Sequence, residues 1–218
     1  MIGKLIRLVE IRYLTNLSLL CFWKHFQWNK KGTKSFLHVN SLGYHEVYLN
    51  GKKVGDIILV PAVSPFDKRS LSVTYDVTDL LEKGDNDLVL WLGKGWYQDG
   101  LPGVVKDGPF VRAQLEELEE DEWRTSLVTD STWKVRERGY SSTGAWLPWQ
   151  FGGEEISADQ LLSSMDGKDL NSVNWNTAVL ANIPLHTVSP QMTESNVVRE
   201  QFHPLECKAS GDSAWIYD

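Results

Sequence analysis

Cysteine is nearly absent. Cys21 and Cys207 are the two in a chain of 218 residues, too few for a disulfide scaffold. They would pair only if the two ends of the chain met, so unbridged thiols are the expectation. No Cys/His cluster has metal-ligand spacing. Basic residues are outnumbered, with 22 Lys+Arg against 29 Asp+Glu and a net charge of −7. That argues against nucleic acid as a partner, because such binders displace counterions with basic side chains. No apolar run approaches the ~20 residues that span a bilayer. There is also no internal repeat and no long stretch of helical period.

Aromatics are plentiful: ten Trp, seven Tyr and seven Phe. Hydrophobic residues make up 42% and charged residues 23%, the profile of a folded chain of one large or two small domains. Trp fills cores, and it also stacks on the flat apolar faces of ligands, sugars included.

The pattern along the chain is one of short strands with turn punctuation. Residues 1–20 carry Lys4, Arg7 and Arg12 among Leu and Ile, but Glu10 and Arg12 interrupt the apolar run and no small-residue cleavage site follows. Residues 1–21 therefore read as a leader or a mis-called start. Residues 35–40 alternate, with Leu37 and Val39 on one face, and 44–49 continue the pattern. Asn50-Gly51 then tolerates positive φ twice and signals a hairpin. Residues 70–75 alternate again, and 76–81 read as one helical turn capped by Asp76 or Thr78. Leu88-Val89-Leu90-Trp91-Leu92 is continuously apolar, which suits a strand central in its sheet. Further strands are expected at 110–118, 123–129 and 133–138, with the acidic run 119–122 as a solvated hairpin tip. Residues 155–164 are the best helix candidate.

Composition changes after Met165. Residues 166–181 are polar and Asn-rich, with Trp175 as the one large anchor, and read as a connector draped over the sandwich. Ile183-Pro184 and Ser189-Pro190 push the chain towards extended geometry. Residues 196–202 alternate, and 214–217 look like a terminal strand without a partner. The whole indicates an all-β chain folded as an antiparallel sandwich or barrel.

Several blocks together carry a family resemblance. Tyr44-His45-Glu46-Val47-Tyr48-Leu49-Asn50-Gly51-Lys52-Lys53-Val54-Gly55-Asp56, then Tyr75-Asp76-Val77-Thr78-Asp79-Leu80-Leu81, Gly84-Asp85-Asn86 and Gly93-Lys94-Gly95-Trp96-Tyr97 follow one another in order. The sequence resembles the N-terminal β-sandwich domain of bacterial α-L-rhamnosidases of glycoside hydrolase family 78, from about Phe22 onwards. Gly152-Gly153-Glu154 is similar to the closing segment of that domain, and Ser189-Pro190-Gln191 to the linker that follows. Trp215-Ile216-Tyr217-Asp218 resembles the opening of the family's next sandwich. The implied organisation is an all-β, antiparallel jelly-roll β-sandwich of the galactose-binding-like kind over 22–165, a linker over 166–190, and the first strands of a second β-sandwich over 191–218.

The resemblance implies a non-catalytic accessory role for this chain. The general acid and base of the family belong to a downstream (α/α)6 barrel, so no catalytic residue is expected here. Rhamnose-containing oligosaccharides or polysaccharides, and that barrel, are the implied partners. The implied location is periplasmic or extracellular. No cofactor is expected, with Ca²⁺ the one ion the resemblance admits. A stand-alone carbohydrate-binding protein that uses Trp-rich loops is the competing reading.

Candidate sugar contacts are Trp96, Tyr97, Asp99 and Asn50. Each has a plainer role as well. Trp96 and Tyr97 would plug the sandwich end, with Gly93 and Gly95 allowing the bend. Asp99 would be a loop acid or, in the other reading, a sugar or Ca²⁺ ligand. Asn50 would serve the hairpin. Trp146 and Trp149, which flank Pro148, together with Trp215, are candidates for an interface to further domains. Glu154 and Glu155 are adjacent, so they point apart and make a poor catalytic pair. His38 and His45 sit on consecutive strands and read as a surface pair.

Overall fold

The fold is described from a computed structural model. It covers residues 9–10, 20–29, 32–98, 108–137, 140–143, 153–157, 165, 167–181, 187–211 and 215–217. Eight strands build the two layers of a β-sandwich. They are β1 (Leu20–Trp28), β2 (Ser35–Leu42), β3 (Tyr44–Leu49), β4 (Arg69–Asp76), β5 (Gly84–Gly93), β6 (Phe110–Glu119), β7 (Glu122–Val128) and β8 (Lys134–Glu137). In the first sheet β2 lies between β6 and β4, and β7 pairs with β6. In the second, β1 and β5 are central, with β8 and β3 outside them. These pairings are all antiparallel.

Period-two alternation explains the core. Leu37 and Val39, Val47 and Leu49, Val73 and Tyr75, Leu88, Leu90 and Leu92, and Val111, Ala113 and Leu115 all point between the sheets. The continuous apolar run of β5 is buried on both faces, as its sequence suggests. Its outer Val89 lies beneath Met165 and Leu170, next to Cys21 and Trp23. Trp175 stacks on Trp23 at 5.2 Å, so the connector does drape over the second sheet.

That connector also supplies strands. Asn176–Thr177 pairs with β8, and Val179–Leu180 pairs with Val9–Glu10 on the other sheet. Thr187–Pro190 runs parallel to β4 and is the one parallel pairing among the described residues. The Asn50-Gly51 hairpin forms with φ of 51° and 78° at its two turn residues, and Glu120 and Asp121 turn the acidic tip the same way, at 48° and 66°. Asp76 caps the short turn after β4, where its Oδ1 accepts from the Thr78 amide at 3.0 Å and Leu81 N–H reaches Val77 O.

Three expectations need correction. The helix over 155–164 does not begin as one, because Gly153–Ile156 is a strand paired with Tyr140–Thr143; residues 158–164 lie outside the described residues. The alternation over 196–202 yields strand only at Asn196–Val197, which pairs with Ile57–Ile58. Trp215–Tyr217 has a partner after all, the antiparallel Cys207–Ala209. Cys21 is buried and Cys207 exposed, and no disulfide joins them.

Candidate functional site

The Trp96 pole is built by tight turns. Gly95 has φ of 54°, and a Cβ there would stand 3.1 Å from the Tyr44 ring, so glycine is required for the chain to close over that ring. Gly93 ends β5 and has no such φ, so the bend rests on Gly95 alone of the two glycines. The Gly95–Gln98 turn follows. Trp96 is half-buried, and its indole N–H donates to the Tyr44 hydroxyl. Burial is the larger influence on Tyr44 and raises its pKa, and that hydrogen bond opposes the shift. Tyr97 is buried between Phe66 at 5.4 Å and Phe110 at 6.2 Å. It is the plug, with no face left for a sugar. Asp99, Trp146 and Trp149 lie outside the described residues, and Trp215 is placed only by the backbone of its hairpin.

Asn50 does not join this pole. Tyr44 pairs with Gly93, whereas Leu49 pairs with Leu88, so Asn50 sits a strand-length away, about 17 Å by the strand rise. Its amide is spent inside the protein. Nδ2 donates to Asn86 Oδ1 at 2.8 Å and to Leu80 O at 3.2 Å, and Oδ1 accepts from the Asp87 amide at 2.9 Å. Asn50→Ala should cost about 1–2 kcal/mol, since it removes these bonds and leaves Cβ at positive φ; urea unfolding measures it.

The two histidines are not a surface pair. His38 is half-exposed and bonds Thr74 at 2.8 Å. His45 is 2% exposed, between the sheets. Its Nδ1 is 2.7 Å from Ser41 Oγ, and its Nε2 is 3.0 Å from the Tyr75 hydroxyl. Ser41 spends its single proton on Gly43 O at 2.8 Å. The imidazole must therefore carry its proton on Nδ1, donating to Ser41, and accept from Tyr75 at Nε2. A Ser–His pair arranged this way cannot activate the hydroxyl, because the base presents N–H to it. Burial holds the His45 pKa down at about 3 and, with the Glu46 charge adding a smaller part, raises that of Tyr75.

A second constellation went unread in the sequence. At the end of the sandwich opposite Trp96, the sheets part into a cleft of about 310 Å³ lined by Gln27, Trp28, Asn29, Glu117, Glu119, Arg124, Thr125 and Ser126. Glu117 and Glu119 continue the inward face of Val111, Ala113 and Leu115, where alternation calls for apolar residues. That break in the pattern was the available signal. The Trp28 indole N–H donates to Glu117 Oε1. Arg124 Nε approaches Glu119 Oε2 at 3.6 Å.

Elsewhere, His25 bridges Asp85 and Asp87 at 3.0 Å each. No group of three His, Cys, Asp or Glu among the described residues is arranged to hold a metal. No helix among them is long and apolar enough to cross a membrane.

The model of the α-L-rhamnosidase N-terminal domain matches residues 30–200. The chain belongs to that family. An α-L-rhamnosidase of Formosa agariphila is 29% identical over 200 residues, covering 87% of this chain and 20% of the relative. One from Alteromonas sp. is 27% identical over 201 residues, with 88% and 21% covered. The chain thus spans about a fifth of the length of these relatives. Among solved structures, the α-L-rhamnosidase of Dictyoglumus thermophilum superposes with a TM-score of 0.74 at 23% identity, over 92% of this chain and 22% of that one. The Streptomyces avermitilis α-L-rhamnosidase complexed with L-rhamnose gives 0.72 at 21% identity, over 88% and 19%. The rhamnosidase N-terminal sandwich is therefore the fold on which the two poles described above are placed.

Proposed function

We infer that this chain is an accessory, non-catalytic module of an α-L-rhamnosidase-type glycoside hydrolase that acts on rhamnose-containing glycans. The observation that carries the reading is the match to the N-terminal domain family over residues 30–200, while the relative from Formosa agariphila is about five times as long as the stretch it shares with this chain. The chemistry of the described residues supports it. Hydrolysis of a glycosidic bond needs two carboxyls flanking the bond from opposite sides. Glu117 and Glu119 lie two residues apart on one strand, so they form one wall of their cleft. Each is also engaged, Glu117 by Trp28 and Glu119 by Arg124. Ser41 is excluded as a nucleophile by the His45 tautomer.

The module's work in this reading is to position the hydrolytic domain and to meet the glycan. The test is direct. The purified 218-residue chain, incubated with p-nitrophenyl α-L-rhamnopyranoside, should release nitrophenol no faster than buffer does. Turnover at an enzymic rate overturns the reading.

The half-exposed ring of Trp96 favours a second reading, stand-alone sugar binding at that pole. Titration with L-rhamnose, with and without Ca²⁺, separates the two. Saturable shifts centred on the Trp96 indole support binding there, and their absence leaves Trp96 as packing against Tyr44.

A further inference from the structure

We propose that residues 167–175, together with Met165, form a flap that lifts off the outer face of the second sheet as one unit while the sandwich stays folded. Its opening bares an apolar surface that includes Cys21. The proposal is independent of the accessory-module reading and shares no residue with the Trp96 pole.

The flap is held to itself by hydrogen bonds and to the sheet by apolar contact. The Trp175 indole N–H donates to Leu170 O at 2.7 Å, Asn171 Nδ2 to Gly167 O at 2.6 Å, and Ser172 Oγ to Asp169 O at 2.7 Å. Met165 and Leu170 lie against Cys21, Trp23 and Val89 of β1 and β5, and Trp175 stacks on Trp23 at 5.2 Å. A helix as short as Gly167–Asn171 does not hold its form alone in water. The turn and its seat on the sheet therefore form and separate together. Strand pairing to the sandwich follows Trp175, where Asn176–Thr177 joins β8 and the Ala178 amide donates to Trp133 O at 2.9 Å. That stitch is the hinge.

Two features load the closed position. Gly167 sits so close to Asp87 that a Cβ there would stand 2.6 Å from its Oδ2. The carboxylate is held in place, because Oδ1 accepts from the Trp23 indole at 2.8 Å and meets His25 Nδ1 at 3.0 Å. The second feature is Arg136, whose guanidinium lies over the Trp175 ring at 6.0 Å. Its Nε donates to Glu137 O at 3.3 Å, but its Nη1 is buried with no hydrogen-bond partner among the described residues. A buried N–H left unpaired is a standing cost of closure. When Trp175 moves away, water reaches that nitrogen and the cost is removed. Closure thus sets the burial of three side chains against an unpaired donor, which keeps the open state within reach of thermal fluctuation.

Cys21 reports the motion. It is 0% exposed, and alternation along β1 puts it on the same outer face as Trp23, beneath the flap. A thiol buried in this way reacts with a reagent in solution only when its cover lifts.

The experiment follows the reaction of Cys21 with the aromatic disulfide DTNB in the full chain carrying Cys207→Ser, which removes the exposed thiol, as urea is raised towards the unfolding transition. At low urea the labelling rate should be nearly flat and about tenfold or more above what global unfolding allows, joining the global limb only near the transition. Val47→Ala opens a hole between the sheets, away from the flap. It should lower the urea midpoint yet leave the low-urea rate within about twofold. Gly167→Ala, which pushes the flap off Asp87, and Trp175→Ala, which removes its aromatic contact, should each raise that rate by about tenfold. Labelling that waits for global unfolding overturns the proposal. So does a rate that Val47→Ala raises in step with its loss of stability, or one that neither flap variant changes. None of these outcomes bears on the nitrophenyl rhamnoside test of the accessory-module reading.

Discussion

Trp133→Ala should lower the unfolding free energy by about 3–5 kcal/mol, the largest single-residue loss expected in the molecule. Trp133 is 0% exposed and belongs to the core between the sheets. Its indole N–H donates to Val128 O at 3.0 Å, at the end of β7. Its own carbonyl accepts from the Ala178 amide at 2.9 Å. Truncation therefore opens a cavity and leaves the Val128 carbonyl without its indole donor, and the two losses add. In a chain of this size the midpoint of thermal unfolding should fall by about 10 °C. Trp123→Ala is the control. Trp123 is exposed and stacks on Phe36 at 5.2 Å, so its loss should stay near about 1 kcal/mol. Equal losses from the two variants would show that Trp133 is not the centre of the core.

Acid should destabilise the protein well before its carboxylates titrate, and His45 is the cause. In the folded state burial holds its pKa at about 3; unfolded, it is near 6.5. Between these values the unfolded chain binds a proton that the folded chain refuses, so stability falls as pH drops. The contribution is complete above about pH 7, is reduced by about 2 kcal/mol at pH 5, and keeps shrinking until the pH nears the folded value. The geometry gives the same answer. Protonation at Nε2 would turn the acceptor of the Tyr75 hydroxyl into a donor, in a space that Ser41 and Tyr75 already fill. Urea midpoints measured from pH 7.5 to pH 5 should drop in the native chain. In His45→Gln the slope over that window should flatten while overall stability falls. An unchanged slope in the variant would assign the acid sensitivity to other groups.

Much of the scaffold was legible because it follows local rules. Asn50-Gly51 forms its hairpin because both positions need positive φ and these two residues tolerate it. The run from Leu88 to Leu92 is central because only a strand covered on both faces can hide five consecutive apolar residues. The cap of Asp76 on the turn after β4 follows from its place before a short apolar run. The family blocks from Tyr44 to Gln191 lie within the residues that the domain model matches, and those at Phe22–Trp28 and Trp215–Asp218 lie beyond them.

What stayed hidden depends on pairings between strands rather than on pattern along one strand. His45 faces inward by the same alternation as Val47 and Leu49, but its partners Ser41 and Tyr75 belong to the facing sheet, and no local pattern joins them. Asn50 resembled a site residue because it stands in a family block, yet its three bonds are internal. Glu117 and Glu119 break an apolar face, but in the sequence Glu119 reads with the solvated hairpin tip and Glu117 passes without remark inside the strand over 110–118. Two strands of three residues, Cys207–Ala209 and Trp215–Tyr217, are too short for periodicity to reveal their pairing.

Ala178 has a mechanical meaning. On one side of it Asn176–Thr177 joins β8, and on the other Val179–Leu180 joins the Val9–Glu10 strand of the opposite sheet. Ala178 is buried between them and tied to Trp133. Within five residues the polypeptide is therefore sewn to an edge of each layer, so a tug transmitted at Leu180 reaches first one sheet and then, through Ala178, the other.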